Sequence, residues 1–278
     1  MFKRAAFMIL GGLAVAGAAH VADAAVVTFQ QGASGYSSGK DTSLYSPTPE
    51  HNYGGATDLF VLASGDVAHP QGQAILLFDN IFGNGPGQVP VGSTINSATV
   101  RLVSRSDSIG HGTIHKSFWS PMKIAVANYG DNDGPADVGE ADYRYRAQNQ
   151  TGWGNANTGS TGPIRNEDFF GTGVTTQINY NSGPDLAINF TSAGLTAIVQ
   201  SWASGTTPNL GFHISPHGGS NDLDLDNYGG TATFFYSDEA ALANRPLLTI
   251  DYTPPVPEPA SVSVLALGSA LLFRRRKV

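Results

Sequence analysis

Cysteine is absent from this 278-residue chain, which removes disulfide frameworks, thiol catalysis and cysteine-held zinc or iron–sulfur centres. Charge is scarce as well. Asp, Glu, Lys and Arg make up 13% of the residues, about half the usual share of ~25%. Basic residues are the scarcer sign, 15 against 22 acidic, and nucleic-acid binding needs clustered Lys and Arg to displace counterions. A nucleic-acid partner is therefore not expected. Low charge does not signal disorder here, because 41% of the residues are hydrophobic. What abounds is turn formers: 34 glycines and 16 prolines are about 18% of the chain, against a usual ~12%. The glycines lack the one-in-three period of collagen. A turn-rich, globular, all-β body is what remains.

Both ends read as targeting segments. Lys3 and Arg4 precede an apolar stretch over 5–19, and Ala22-Asp23-Ala24 places small residues where a signal peptidase accepts them. These are the three parts of a secretory signal, 1–24, with cleavage expected after Ala24. In the last segment, 254–278, Pro257-Glu258-Pro259 precedes an apolar run over 261–273 and then Arg274-Arg275-Arg276-Lys277. As a helix that run would span about 20 Å, short of the ~30 Å hydrocarbon core, with the basic cluster on the cytoplasmic side. It suits a transient anchor in the membrane. The three parts in this order resemble the PEP-CTERM sorting signal of Gram-negative, exopolysaccharide-producing bacteria. That resemblance implies recognition by an exosortase-type membrane enzyme, removal of the tail, and delivery to the cell surface or extracellular matrix. Six of the basic and two of the acidic residues lie in these two segments, so the body keeps nine basic and twenty acidic residues, a net −11. Such a body should avoid polyanions unless a cation mediates the contact.

Residues 25–253 fit the size of one large β-sandwich. Ile75-Leu76-Leu77-Phe78 is a continuous apolar run, as in a strand buried on both faces. Over 97–103 the period is two, with Ala98, Val100 and Leu102 on one face and Thr99 and Arg101 on the other. Further strands are expected over 123–127, 175–180, 185–190, 210–215, 231–236 and 247–252. Leu195, Ile198, Val199 and Trp202 instead follow helical spacing, with Ser192 as N-cap and Gly205 past the end. They predict one short helix lidding the sandwich, with Trp202 in the core. The stretch 128–173 is polar, glycine-rich and long for a connection, the usual mark of a functional or mobile loop.

Several stretches together carry a second resemblance. They are Lys40-Asp41-Thr42, Asn52-Tyr53-Gly54, Ala74-Ile75-Leu76-Leu77-Phe78-Asp79, Gly92-Ser93-Thr94-Ile95-Asn96-Ser97-Ala98-Thr99-Val100, Ile198-Val199-Gln200-Ser201-Trp202, Asn209-Leu210-Gly211-Phe212 and Arg245-Pro246-Leu247-Leu248-Thr249-Ile250. In this order they are similar to the DNRLRE domain family, whose members include jelly-roll carbohydrate-binding modules of polysaccharide-active proteins. The similarity spans about 26–253, with a long insertion in the middle. It implies an antiparallel β-sandwich and, more weakly, sugar binding. Where family members often carry a Ser-Arg-Glu-like stretch, this chain has Ser237-Asp238-Glu239 and lacks the arginine.

Catalytic motifs are missing: there is no nucleophile elbow, zinc-protease helix, P-loop or dinucleotide fingerprint. His111 and His115, and His213 and His217, have i,i+4 spacing, but Gly110, Gly112 and Pro216 oppose a helix at either place. A glycosidase would need two carboxylates at a set separation across a cleft, and sequence nominates none. The densest oxygen-rich stretch is Asp131-Asn132-Asp133-Gly134-Pro135-Ala136-Asp137 with Glu140. Asp131, Asp133, Asp137 and Glu140 could hold calcium, which takes six to eight oxygens, although the spacing is not a complete EF-hand. The same stretch also reads as a solvated turn. Asp222, Asp224 and Asp226 alternate with leucines and read as an exposed strand face. Sugar binding wants flat rings beside planar polar groups. Tyr143-Arg144-Tyr145-Arg146 alternates like a strand, and Trp153 and Trp119 sit in nearby loops. The alternative is that these aromatics pack beneath the long loop. The expectation is thus an exported, non-catalytic, all-β antiparallel sandwich of jelly-roll type that binds extracellular polysaccharide. Its rivals are a structural matrix or protein-interaction module and, further off, a glycan-active hydrolase or lyase.

Overall fold

Glycine- and asparagine-rich turns cut the body into short extended segments, and the computed structural model of the chain shows how they pair. It describes residues 22–62, 72–108, 114–154, 162–171, 176–216 and 232–256. Within them run β1 (Ala25–Phe29), β2 (Gly39–Tyr45), β3 (His51–Asn52), β4 (Asp58–Leu62), β5 (Gly72–Phe78), β6 (Thr94–Ser104), β7 (Ile114–Pro121) and β8 (Gly134–Pro135). These are followed by β9 (Tyr145–Ala147), β10 (Thr151–Gly152), β11 (Thr176–Asn181), β12 (Leu186–Thr191), the helix α1 (Ala193–Ala203), β13 (Phe212–Ser215), β14 (Ala232–Tyr236) and β15 (Leu247–Thr253). Ala24–Pro255 form one compact unit.

The strands are antiparallel and make two layers. One runs β1–β15–β6–β12, with β6 pairing β15 along its first part and β12 along its last. The other runs β2–β5–β13–β7–β11. The β4–β14 pair joins them, meeting β5 where Leu62 faces Gly72 and β6 where Phe235 faces Ser104. Inward side chains of both layers form the main core, with Leu76 and Phe78 of β5, Phe212 of β13 and Ile250 of β15. At its centre the Trp119 ring lies 5.0 Å from Phe190 and 5.5 Å from Phe212. Edge-on and tilted contacts of this kind suit the ring quadrupoles.

Most expected elements are present. Ala98, Val100 and Leu102 face inward as the period of two requires. A bulge at Asn96 resets the alternation so that Ile95 also points inward. The helix is Ala193–Ala203: Ser192 Oγ accepts the Leu195 N–H at 3.0 Å, and Trp202 is buried. Residues 123–127 are not a strand. Lys123 and Ile124 both direct their N–H groups at the Asp168 carbonyl, at 2.8 and 3.4 Å, so no ladder can form. The run around Ile75 is buried on both faces, and the reason is a second core. Ile75 and Leu77 point away from the main core and are covered by Leu44, Met122, Tyr143, Trp153 and Phe169. The long insertion is therefore a cover for the outer face of β5.

Among the described residues no helix is long and apolar enough to cross a membrane. The expected sorting segment, with Pro257, Glu258, Pro259, the run over 261–273 and Arg274, Arg275 and Arg276, lies outside the described residues, as do His111, His217 and the Asp222–Asp226 alternation. The other two histidines are held by neighbours. His115 Nε2 meets Ser182 Oγ at 2.9 Å, and its Nδ1 meets Thr233 Oγ1 at 2.8 Å. His213 stacks on Phe169 with centroids 4.0 Å apart and bonds Gln73 Oε1 at 2.5 Å.

Two outcomes follow from this packing. Phe190→Ala should lower the unfolding free energy by about 3–5 kcal/mol in chemical denaturation, because the ring is fully buried between the layers. Burial also pushes the His213 imidazole down to about 3, so it folds neutral but charges in the unfolded chain below the usual ~6.5. Its stabilising contribution is complete above pH 6.5 and is lost as pH falls towards 3. Relative to His213→Gln, the wild type should lose about 1.4 kcal/mol per pH unit between pH 6 and 4.

Candidate functional site

Asp41 opens the site. It sits on β2, paired opposite Leu76 of β5, in a stretch buried on both faces, and only 2% of its surface is exposed. A carboxylate there demands a partner. Its Oδ2 accepts the Asp238 N–H at 2.9 Å, but its Oδ1 is buried and meets no donor. Asp238 and Glu239 follow directly on β14, where Ser237 fixes the turn: its Oγ donates to the Ala56 carbonyl at 2.6 Å and its N–H to Thr57 O at 3.0 Å. One ligand-capable oxygen from each of Asp41, Asp238 and Glu239 lies within 4.8 Å of the others.

The opposite wall is the start of the insertion, residues 127–130, held by Asn52. Asn52 Nδ2 donates to the carbonyls of Tyr129 and Ala141, both at 2.7 Å, and its Oδ1 accepts the Gly54 N–H at 2.9 Å. Two glycines allow this approach. A Cβ on Gly54 would lie 2.3 Å from the Gly130 carbonyl, and one on Gly130, at φ +81°, would lie 2.1 Å from Asn52 Oδ1. Between the walls is a cavity of about 210 Å³, lined by Gln31, Lys40, Asn128, Tyr129 and the three acids. It is smaller than the ~300–1,000 Å³ of a site for a drug-sized ligand, and matches a single ring or a hydrated ion.

Electrostatically the cavity is unbalanced. Burial raises the Asp41 carboxyl well above the usual carboxylate range, and the charges of Asp238 and Glu239 raise it further. Burial, then contact with Asp238, pushes Glu239 up to about 8. The nearby cations are engaged elsewhere. Lys40 Nζ pairs with Asp79 at 3.2 Å, and Arg245 donates to the carbonyls of Ala240 and Gln31 at 2.7 and 3.0 Å. Among the described residues no ion pair reaches the three acids. Tyr129 also lines the cavity, and its buried hydroxyl has no hydrogen-bond partner.

The residues nominated from sequence are placed differently. Trp119 and Trp153 are buried, with Nε1–H donated to Ser117 Oγ and to the Asp142 carbonyl, both at 2.9 Å. Tyr143 is buried in the second core. These three rings are held inside and present no face to a sugar. Tyr143 to Arg146 do not alternate as a strand. Asp142 Oδ1 accepts the N–H groups of Arg144 and Tyr145, both at 2.7 Å, and turns the chain so that only Tyr145–Ala147 are extended. Arg144 pairs with Glu50, while Tyr145 and Arg146 are half-buried. The acidic loop closes on itself: Glu140 Oε2 accepts from Asn132 Nδ2 at 2.8 Å and from the Asp137 N–H at 2.9 Å. Asp131, Asp133 and Asp137 are exposed, and Asp133 meets His51 Nε2 at 2.9 Å. Among the described residues the group with ligand spacing is Asp41, Asp238 and Glu239, not this loop.

Asn52→Ala should leave the buried Tyr129 and Ala141 carbonyls without donors and cost about 1–3 kcal/mol for each, read by denaturant unfolding. In comparison with known proteins, no family model matches the chain and no curated protein matches it significantly. What the cavity can bind therefore rests on its own chemistry.

Proposed function

We propose that the chain is an exported, surface-sorted module that binds extracellular polysaccharide at the cavity beside Asp41 and carries out no catalysis. The observation that carries this reading is the cavity itself, concave, small and lined by amide, ammonium and carboxylate groups. Sugar hydroxyls need such donors and acceptors, and the volume suits one ring. A neutral glycan, or an anionic one bridged by calcium, fits the net charge of the body.

Export and sorting are supported by where the sandwich begins and stops. β1 starts at Ala25, one residue beyond the expected signal cleavage, and β15 stops at Thr253, before Pro257. Loss of 1–24 and of a PEP-CTERM tail would leave every one of these strands intact. The similarity to the DNRLRE family fits the antiparallel sandwich and points towards the same ligand class. The acids support a non-catalytic reading. Glycosidases hold two carboxyl groups about 5–5.5 or 6.5–9.5 Å apart with substrate between them. Here the three acids are closer together, and Asp41 rests directly on the Asp238 backbone, so no glycosidic bond can lie between those two. Burial of Trp119, Trp153 and Tyr143 favours a second reading, a structural matrix module whose insertion only packs.

Affinity electrophoresis of the full-length protein in gels containing neutral or acidic exopolysaccharide, with and without calcium, separates the two. Binding predicts retardation by at least one glycan, weakened several-fold by Asn128→Ala, the loss of about one hydrogen bond. Unchanged mobility in every gel would leave the structural module as the reading.

A further inference from the structure

Among the described residues no cation pairs with the three acids. Asp41 lines the cavity beside two further acids, and its buried Oδ1 meets no donor. An ionised carboxylate left so is costly unless a cation meets it, and without one it takes up a proton instead. From this geometry we infer that Asp41, Asp238 and Glu239 form a calcium site.

The donor set is all oxygen, which selects a hard cation over zinc, copper or iron. Size then chooses between the hard cations. Oxygens on opposite sides of calcium, at 2.3–2.6 Å from it, are about 4.6–5.2 Å apart; around magnesium, at 2.0–2.1 Å, they are about 4.0–4.2 Å apart. Ligand oxygens within 4.8 Å of one another lie inside calcium's span, and calcium accepts an irregular ligand set where magnesium demands a near-ideal octahedron. Calcium also needs further oxygens. The cavity has room for waters, and Asn128 and Tyr129 are among the residues of its wall. The site joins three distant parts of the chain, β2, the turn after β14 and the wall at 127–130, so the ion would staple the insertion's start to the sandwich. This site goes beyond glycan binding and holds without it, since it requires only the acids and the cavity.

The test is calorimetric titration of calcium chloride into chelator-treated full-length protein, with thermal unfolding measured alongside. One ion per chain should bind and raise Tm, and magnesium should bind at least tenfold more weakly. Asp238→Asn and Glu239→Gln should each weaken calcium at least tenfold. Without calcium both variants should melt no lower than the wild type, because repulsion is relieved. That last readout separates a lost site from a damaged fold. Absence of heat and of a Tm shift at about 5 mM calcium, above the ~10⁻⁴–10⁻³ M range of extracellular modules, overturns the inference. So does binding undiminished in both variants, which would place the ion elsewhere, or magnesium binding as well as calcium. Glycan retardation is a separate measurement and can fail while calcium binds.

Discussion

A strand with two apolar faces cannot be left on the outside of a sandwich. β5 carries Ala74, Leu76 and Phe78 towards the main core and Ile75 and Leu77 the other way. At about 25 cal/mol per Å² of apolar surface, an exposed outer row would forfeit several kcal/mol and leave a sticky patch. The insertion between β7 and β11 resolves this by laying Met122, Tyr143, Trp153 and Phe169 across it. Much else follows from that cover. Tyr143, Trp153 and Phe169 are spent as core, while Asp131, Asp133 and Asp137 turn outward. Its first residues, pinned by Asn52, come to rest against the mouth formed by β2 and the turn after β14.

That mouth concentrates charge of one sign in a body that already has an excess of it. Two of the three acids, Asp41 and Asp238, are buried, and Glu239 is exposed. Asp41 is inside, and the turn holding Asp238 and Glu239 is fixed by Ser237 and braced by Arg245 through backbone carbonyls. Arg245 is thus a structural cation whose charge is given to the backbone, while Lys40 gives its own to Asp79. The carboxyl groups are held together by scaffolding, not by attraction, and the crowding raises Asp41 and Glu239 towards their protonated forms.

Periodicity made the scaffold readable. The alternation through Ala98, Val100 and Leu102, the helical spacing of Leu195, Ile198, Val199 and Trp202, and the unbroken run at Ile75 each record a local burial pattern, and each element formed as its pattern requires. Where a local turn overrides the pattern, reading by period fails. Asp142 bends the Tyr143–Arg146 stretch out of register, and the Asp168 carbonyl captures two N–H groups that a strand over 123–127 would have used. The acidic site was not legible in this way, because Asp41 and Asp238 are 197 positions apart and no spacing rule joins them. One signal was present: a carboxylate embedded in the buried stretch Asp41-Thr42-Ser43-Leu44. The loop at Asp131–Asp137 drew attention by its density of acids, yet density in sequence marks solvated turns as readily as ligand sets.

The first and last strands of the sandwich are neighbours, Ala25 facing Tyr252, and β15 lies between β1 and β6. A tether attached beyond Thr253 would therefore pull along β15 while both of its flanks are bonded. Tension of that kind loads the rungs of two ladders side by side and not one after another, the geometry in which a sheet resists sliding best. A module held to a surface by this end would carry mechanical load through a strand bonded along both edges.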